Sequence, residues 1–146
     1  MQFDPKLYDK FPVILRDKLT NNEIELPDGT LFDYEKILTY RAVQRKEDDF
    51  TPVTETDFKS YFELNKKPKS PRGVKKDFSK DPHYYGVSSF LKKEIVEQKM
   101  KFPNPRKKIA RGYVYKEAGP QETKEDHVCW WLYDKVKIEG YSLIEE

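Results

Sequence analysis

The sequence predicts an α+β fold: a single compact domain with a mixed or antiparallel sheet, two or three helices packed on it, and a long basic loop. Three observations carry that expectation. Strand-like runs at Tyr84–Ser89, Ile109–Lys116 and His127–Ile138 surround one stretch of helical period, marked by Leu91, Ile95 and Gln98. Ten Tyr, nine Phe and two Trp supply the ring area for a core, although charged residues (37%) slightly outnumber hydrophobic ones (36%). The charge is also segregated. Residues 1–65 carry 9 basic and 14 acidic side chains, residues 66–116 carry 16 and 4, and residues 117–146 carry 3 and 8. A length of 146 residues is enough to bury one ordinary core.

Asp4-Pro5 reads as an N-cap followed by Pro at the first helical position. Pro12 then divides the stretch into two helical pieces, Asp4–Phe11 and Pro12–Leu19. Pro27-Asp28-Gly29, between Glu23–Leu26 and Thr30–Phe32, predicts a short hairpin. Thr39–Arg45 alternates as a half-buried strand, with Tyr40 and Ala42 on one side and Arg41, Val43 and Arg45 on the other. Thr54-Glu55-Thr56-Asp57 has the form of a capping box and predicts a helix of about three turns through Phe58, Tyr61, Phe62 and Leu64.

From residue 66 to 82 no apolar period survives, which predicts a basic, Pro-containing loop. Ser88 or Ser89 is then expected to cap a helix running to Met100. Ala118–Asp126 reads as a connection to the last run. There Val128, Trp130 and Leu132 alternate with Cys129, Trp131 and Tyr133. Both sets are apolar, as in a strand covered on both faces. Val136 and Ile138 either extend that strand or form a short one of their own.

Several classes are not expected. A single Cys129 permits no internal disulfide and no multi-cysteine zinc site, and it reads as a buried small hydrophobe. No basic start with an apolar run marks a secretion signal, and no stretch has the apolar length that spans a bilayer. The expectation is a cytoplasmic protein with no membrane contact, no metal and no cofactor. Neither a Gly-rich phosphate loop nor a Gly-x-Ser-x-Gly elbow is present.

The first candidate site is a basic surface made of Lys66, Lys67, Lys69, Arg72, Lys75, Lys76 and Lys80, joined by Arg106, Lys107, Lys108 and Arg111. Lysine and arginine neutralise phosphates and release counterions, and the nearby rings of Phe78, Tyr84 and Tyr85 would add stacking for a single strand. The expected partner is anionic, either nucleic acid or an acidic protein surface. The competing expectation is that the acidic ends fold over the basic middle and neutralise it. A homodimer formed through an exposed Trp or Tyr face is a further expectation.

The second candidate is a nucleotide-handling pocket. Arg41 on a strand, Ser88 in Tyr84-Tyr85-Gly86-Val87-Ser88-Ser89, and a late Glu139 follow one another in the order Arg, Ser, Glu. That order resembles the ADP-ribosyltransferase family. The resemblance implies an Arg on the dinucleotide phosphates, a Ser-bearing strand shaping the pocket and a Glu orienting a ribose hydroxyl. Ser-Thr-Ser is absent, and no Glu-x-Glu falls on a plausible late strand. His83 and His127, each at the start of an expected strand, are candidate acid–base groups for RNA cleavage if their strands are neighbours. The leading expectation is therefore a binding protein, and the runner-up is an enzyme acting on a nucleotide or RNA through Arg41, Ser88, His83 and His127.

Overall fold

A computed structural model describes residues 4–64 and 78–144. Its framework is one six-stranded sheet: β1 (Ile37–Gln44), β2 (Val87–Phe90), β3 (Lys107–Val114), β4 (Gln121–Lys124), β5 (His127–Trp130) and β6 (Ser142–Leu143). The spatial order is β4-β5-β2-β1-β3-β6. Every neighbouring pair is antiparallel, which narrows the expected mixed or antiparallel sheet to the second. The helices α1 (Val13–Thr20) and α2 (Lys93–Lys99) join it, with short 3-10 turns between elements.

Side-chain alternation divides the sheet into two faces. Val43, Val87, Ala110, Val114, Val128 and Trp130 point to one, under Phe58, Ile138 and Tyr141. Phe90 and Ile109 point to the other and pack with Val96 of α2. Beyond β5, α1 and the N-terminal turn close a third cluster, in which Phe11, Leu15 and Leu19 meet Cys129 and Trp131. The strand covered on both faces is β5, but it ends at Trp130 (1% exposed); Trp131, just past its end, is 0% exposed, and residues 131–138, expected to continue as strand, form none. Neither tryptophan is on the surface for a dimer to use. Gly112 is required by close approach: a Cβ there would stand 2.4 Å from the Tyr141 ring, whose hydroxyl bonds Thr39 across the sheet.

Several local expectations are revised. Pro12 does separate two helical pieces, Pro5–Tyr8 as a 3-10 turn and α1. The hairpin at 23–32 is a turn closed by Thr30 N–H to the Pro27 carbonyl, and Leu31 bridges Gln121 instead of a local partner. Tyr84 and Tyr85 end a 3-10 turn, Pro82–Tyr85, so the strand starts only at Val87. Ser88 and Ser89 lie inside that strand and cap nothing; α2 begins later, after Lys92. The connection 118–126 contains edge strand β4, which turns into β5 through Glu125 at φ +57. Of the expected basic loop, Lys66, Lys67, Lys69, Arg72, Lys75 and Lys76 fall outside the described residues, while Phe78–Lys80 forms a 3-10 turn.

The Thr54–Asp57 capping box exists but opens a single 3-10 turn, Glu55–Asp57, rather than three helical turns. Arg45 explains the difference. Its guanidinium grips the Asp57 carboxylate with two bonds, Nη1–Oδ1 at 2.7 Å and Nη2–Oδ2 at 2.8 Å, and also donates to the Thr51 and Pro52 carbonyls. Asp57 in turn accepts from Thr54 N–H. The segment is tied to the end of β1 before a helix can propagate, and Phe58 is delivered into the core at 2% exposure.

Arg45 and Asp57 side chains are 7% and 9% exposed. Removing one partner leaves the other charged and desolvated, so Asp57→Ala is expected to lower unfolding free energy by about 3 kcal/mol in urea titrations. Arg45→Leu combined with Asp57→Ala is expected to cost clearly less than the two single losses added together.

Candidate functional site

β1 pairs with β3 at eight positions, Ile37↔Val114 through Gln44↔Lys107, but with β2 at one, Tyr40↔Phe90. Beyond that pair β1 and β2 separate, and a cleft of about 710 Å³ occupies the opening. Arg41, Val43 and Gln44 line it from β1, Ser88 and Phe90 from β2, Ile95 and Lys99 from α2, and Lys124 and His127 from the β4–β5 hairpin. Arg41 partly bridges the opening: its Nη1 donates to the Ser88 carbonyl.

Three of the five residues singled out for a pocket are brought together here. Arg41 and Ser88 share the hydrogen bond just described, and His127 Nε2 lies 3.0 Å from Ser88 Oγ. Register explains the second contact, because Ser88 and His127 occupy one face of neighbouring strands, diagonally across the Ser88↔Cys129 and Phe90↔His127 pairs. The other two stand elsewhere. His83 is held in the Pro82–Tyr85 turn between Asp81 Oδ1 (3.1 Å from Nδ1) and Glu122 Oε1 (2.8 Å from Nε2), against Trp131. Glu139 does not line the cleft; its backbone N–H donates to the Tyr115 hydroxyl. The Arg–Ser–Glu order thus reduces in space to Arg and Ser.

The cleft is electropositive. Arg41, Lys59, Lys99, Lys107 and Lys124 line it, with Asp57, Glu125 and Asp126 as the acids. Asp57 is taken by Arg45, Lys59 is 3.8 Å from Glu63, and Asp126 is 3.9 Å from Lys92. Among the described residues, no carboxylate lies within ion-pair reach of Arg41, Lys99, Lys107 or Lys124. Burial pulls the Arg41 guanidinium down to about 10, with Tyr141 and Asp57 opposing, so it remains a cation at neutral pH.

The rest of the basic cluster divides. Lys107 reaches Met100 Sδ at 3.4 Å and stands between the cleft and a second, more apolar cavity of about 920 Å³ beside β6. Arg106 and Arg111 are exposed and pair with no carboxylate among the described residues. Lys108 is consumed internally, donating to the Glu47 and Asp49 carbonyls and lying 3.4 Å from the Phe50 ring centroid. The expected stacking rings are not free either. Tyr85 is buried, and Tyr84 packs against Tyr85, Phe62 and Phe78.

A ring missed by the sequence reading is open instead. Tyr113 (41% exposed) and Leu38 (40%) stand across β1 and β3 on the α2 side of the sheet, beside Arg111, with Lys36 4.6 Å from the Tyr113 centroid. Alternation along β3 places Lys107, Ile109, Arg111 and Tyr113 on one side, which was readable from their odd spacing. What was not readable is that α2 is only seven residues long and covers Ile109 but not Tyr113. Burial pushes the Cys129 thiol well up, which leaves it a core side chain and not a nucleophile. Among the described residues no three His, Cys, Asp or Glu side chains cluster as a metal-ligand set, and no helix is long and apolar enough to cross a membrane.

Burial holds His127 below the ordinary imidazole value of 6.5, helped by His83 and Lys99 and opposed by Glu122. As pH falls through 6.5, the unfolded chain takes up a proton that the native imidazole refuses, so stability drops. The wild-type urea midpoint is expected to fall more than that of His127→Gln between about pH 7.5 and pH 5.5.

No family model matches the chain, and neither a curated protein nor a solved structure does.

Proposed function

We propose that this protein binds nucleic acid through the α2 side of its sheet. The observation that carries the reading is the set of cations left without a carboxylate partner among the described residues: Lys99, Lys107, Arg111 and Lys124, with Arg41 reaching in from the strand opening. A protein surface normally interleaves both signs, and cations left unmatched on one side favour an anionic ligand. Tyr113 favours nucleic acid over an acidic protein, because an exposed ring between Arg111 and Lys36 offers a stacking surface for an unpaired base. The described chain also enters the lysine-rich segment at the cleft, since Leu64, the last described residue before it, is a lining residue.

Affinity for a fluorescent single-stranded oligonucleotide is expected to fall linearly with log salt. Replacing Lys107, Arg111 and Lys124 together by Ala is expected to reduce that slope by about 2, since each phosphate contact contributes ~0.7. Tyr113→Ala is expected to weaken binding about tenfold at every salt concentration, leaving the slope unchanged. Binding of poly-glutamate in place of the oligonucleotide would move the reading to an acidic protein partner.

The second reading, an enzyme acting on a nucleotide or RNA, is favoured by one observation: the 3.0 Å contact of Ser88 Oγ with His127 Nε2 beside Arg41. A neutral imidazole at hydrogen-bond distance from a hydroxyl has the geometry of a base and its nucleophile. His127 Nδ1, however, has no carboxylate or carbonyl to orient it among the described residues. Turnover of RNA or nucleotide by the purified chain, abolished by either Arg41→Ala or His127→Ala, would establish this reading. Strand binding without turnover excludes it.

A further inference from the structure

Arg41 has a feature that the fold alone does not account for. Its guanidinium carbon lies 4.9 Å from the centroid of the buried Phe58 ring, and Nη1 is taken by the Ser88 carbonyl. Nε is shut away from solvent and has no acceptor among the described residues. Asp57, the acid whose charge it feels, is held by both terminal nitrogens of Arg45. Arg41 is half-buried, and a partly desolvated cation is disfavoured unless a counter-charge or an anion completes it. The Ser88 hydroxyl and the His127 imidazole line the same cleft, with Lys99 and Lys124 among its walls. The opposing acids are Glu125, an exposed turn residue, and Asp126, which faces Lys92.

We propose that the inner end of the cleft is a phosphate subsite, in which the Arg41 guanidinium holds the anion and Ser88 and His127 supply further hydrogen bonds. The ligand is a phosphomonoester, carried by the end of a strand or by a free nucleotide. A terminus is favoured over a diester because a monoester offers three unesterified oxygens to Arg41, Ser88 and His127, where a diester offers two. Guanidinium is suited to the task because the N–H groups of Nη2, and the one of Nη1 not given to Ser88, can donate to two phosphate oxygens at once. For the strand end the proposal rests on the nucleic-acid reading above; for the free nucleotide it stands alone.

The test uses the full chain and Arg41→Met, which keeps an unbranched side chain on Phe58 and removes the charge. Melting temperature is compared in sodium phosphate and sodium chloride of equal ionic strength, and with thymidine 5′-monophosphate. Anisotropy then compares an oligonucleotide bearing a 5′-phosphate with its 5′-hydroxyl counterpart. Phosphate and the nucleotide are expected to raise the wild-type melting temperature and leave Arg41→Met unmoved. The 5′-phosphate is expected to tighten wild-type binding about tenfold, an advantage that vanishes in the variant. Ser88→Ala removes an exposed hydroxyl and its contact with His127, and covers the case in which Arg41→Met does not fold; it is expected to reduce the phosphate response about fivefold. No phosphate-specific shift, or equal affinity for the two strand ends with an unchanged response in Ser88→Ala, overturns the subsite while strand binding stands. A shift with phosphate and nucleotide but no strand binding supports the subsite and overturns the nucleic-acid reading.

Discussion

The pair between Arg45 and Asp57 governs much of what surrounds it. Both side chains are buried, and the guanidinium also satisfies the carbonyls of Gln44, Thr51 and Pro52. A desolvated pair of this kind is worth little in net stability compared with an apolar substitute, but it tolerates only one arrangement of its partners. That arrangement returns the acidic loop after β1 to the sheet and seats Phe58 in the core, edge-on to Trp130 and Tyr141. It also occupies the Asp57 carboxylate, whose charge Arg41 feels. One contact therefore both completes the hydrophobic layer and leaves the neighbouring cation without a carboxylate partner among the described residues.

The fold was legible where side-chain period and local chemistry agreed. Tyr40 and Ala42 do face away from Val43, and the alternation at 128–130 is buried on both sides of β5, although the rest of that run, from Trp131 on, leaves the strand. Pro12 broke the N-terminal helix because its ring has no N–H to donate. Legibility failed where tertiary contacts overrode local preference. Gln121–Lys124 has few β-branched residues and a turn without glycine, yet pairing with β5 makes it a strand. Ser88 and Ser89 have the chemistry of caps, but sheet pairing placed them in β2. The 54–57 capping box was correctly recognised, and what it could not reveal was a buried arginine nine residues upstream of its first member.

The site divides along similar lines. Grouping Arg41, Ser88 and His127 was possible from their residue types, but distance was not, because it depends on β2 lying between β1 and β5. His83 and Glu139 match the same chemistry and are held elsewhere by contacts that cross the fold. The basic cluster shows that charge counts do not report availability. Lys108 is held by two carbonyls and a ring, whereas its neighbour Lys107, pointing to the opposite side of β3, stays beside the cleft. A one-residue step along a strand separates a structural cation from an available one.

The single backbone pair between β1 and β2 has a mechanical meaning. In backbone pairing the sheet consists of two trios, β4-β5-β2 and β1-β3-β6, joined at Tyr40 and Phe90 and by the arm of Arg41 reaching across to Ser88. Elsewhere along this seam the trios are held by side-chain packing alone, under Phe58 on one face and Val96 on the other. An anion seated against both Arg41 and Ser88 would act as a clasp between them, coupling occupancy of the cleft to the rigidity of the whole sheet.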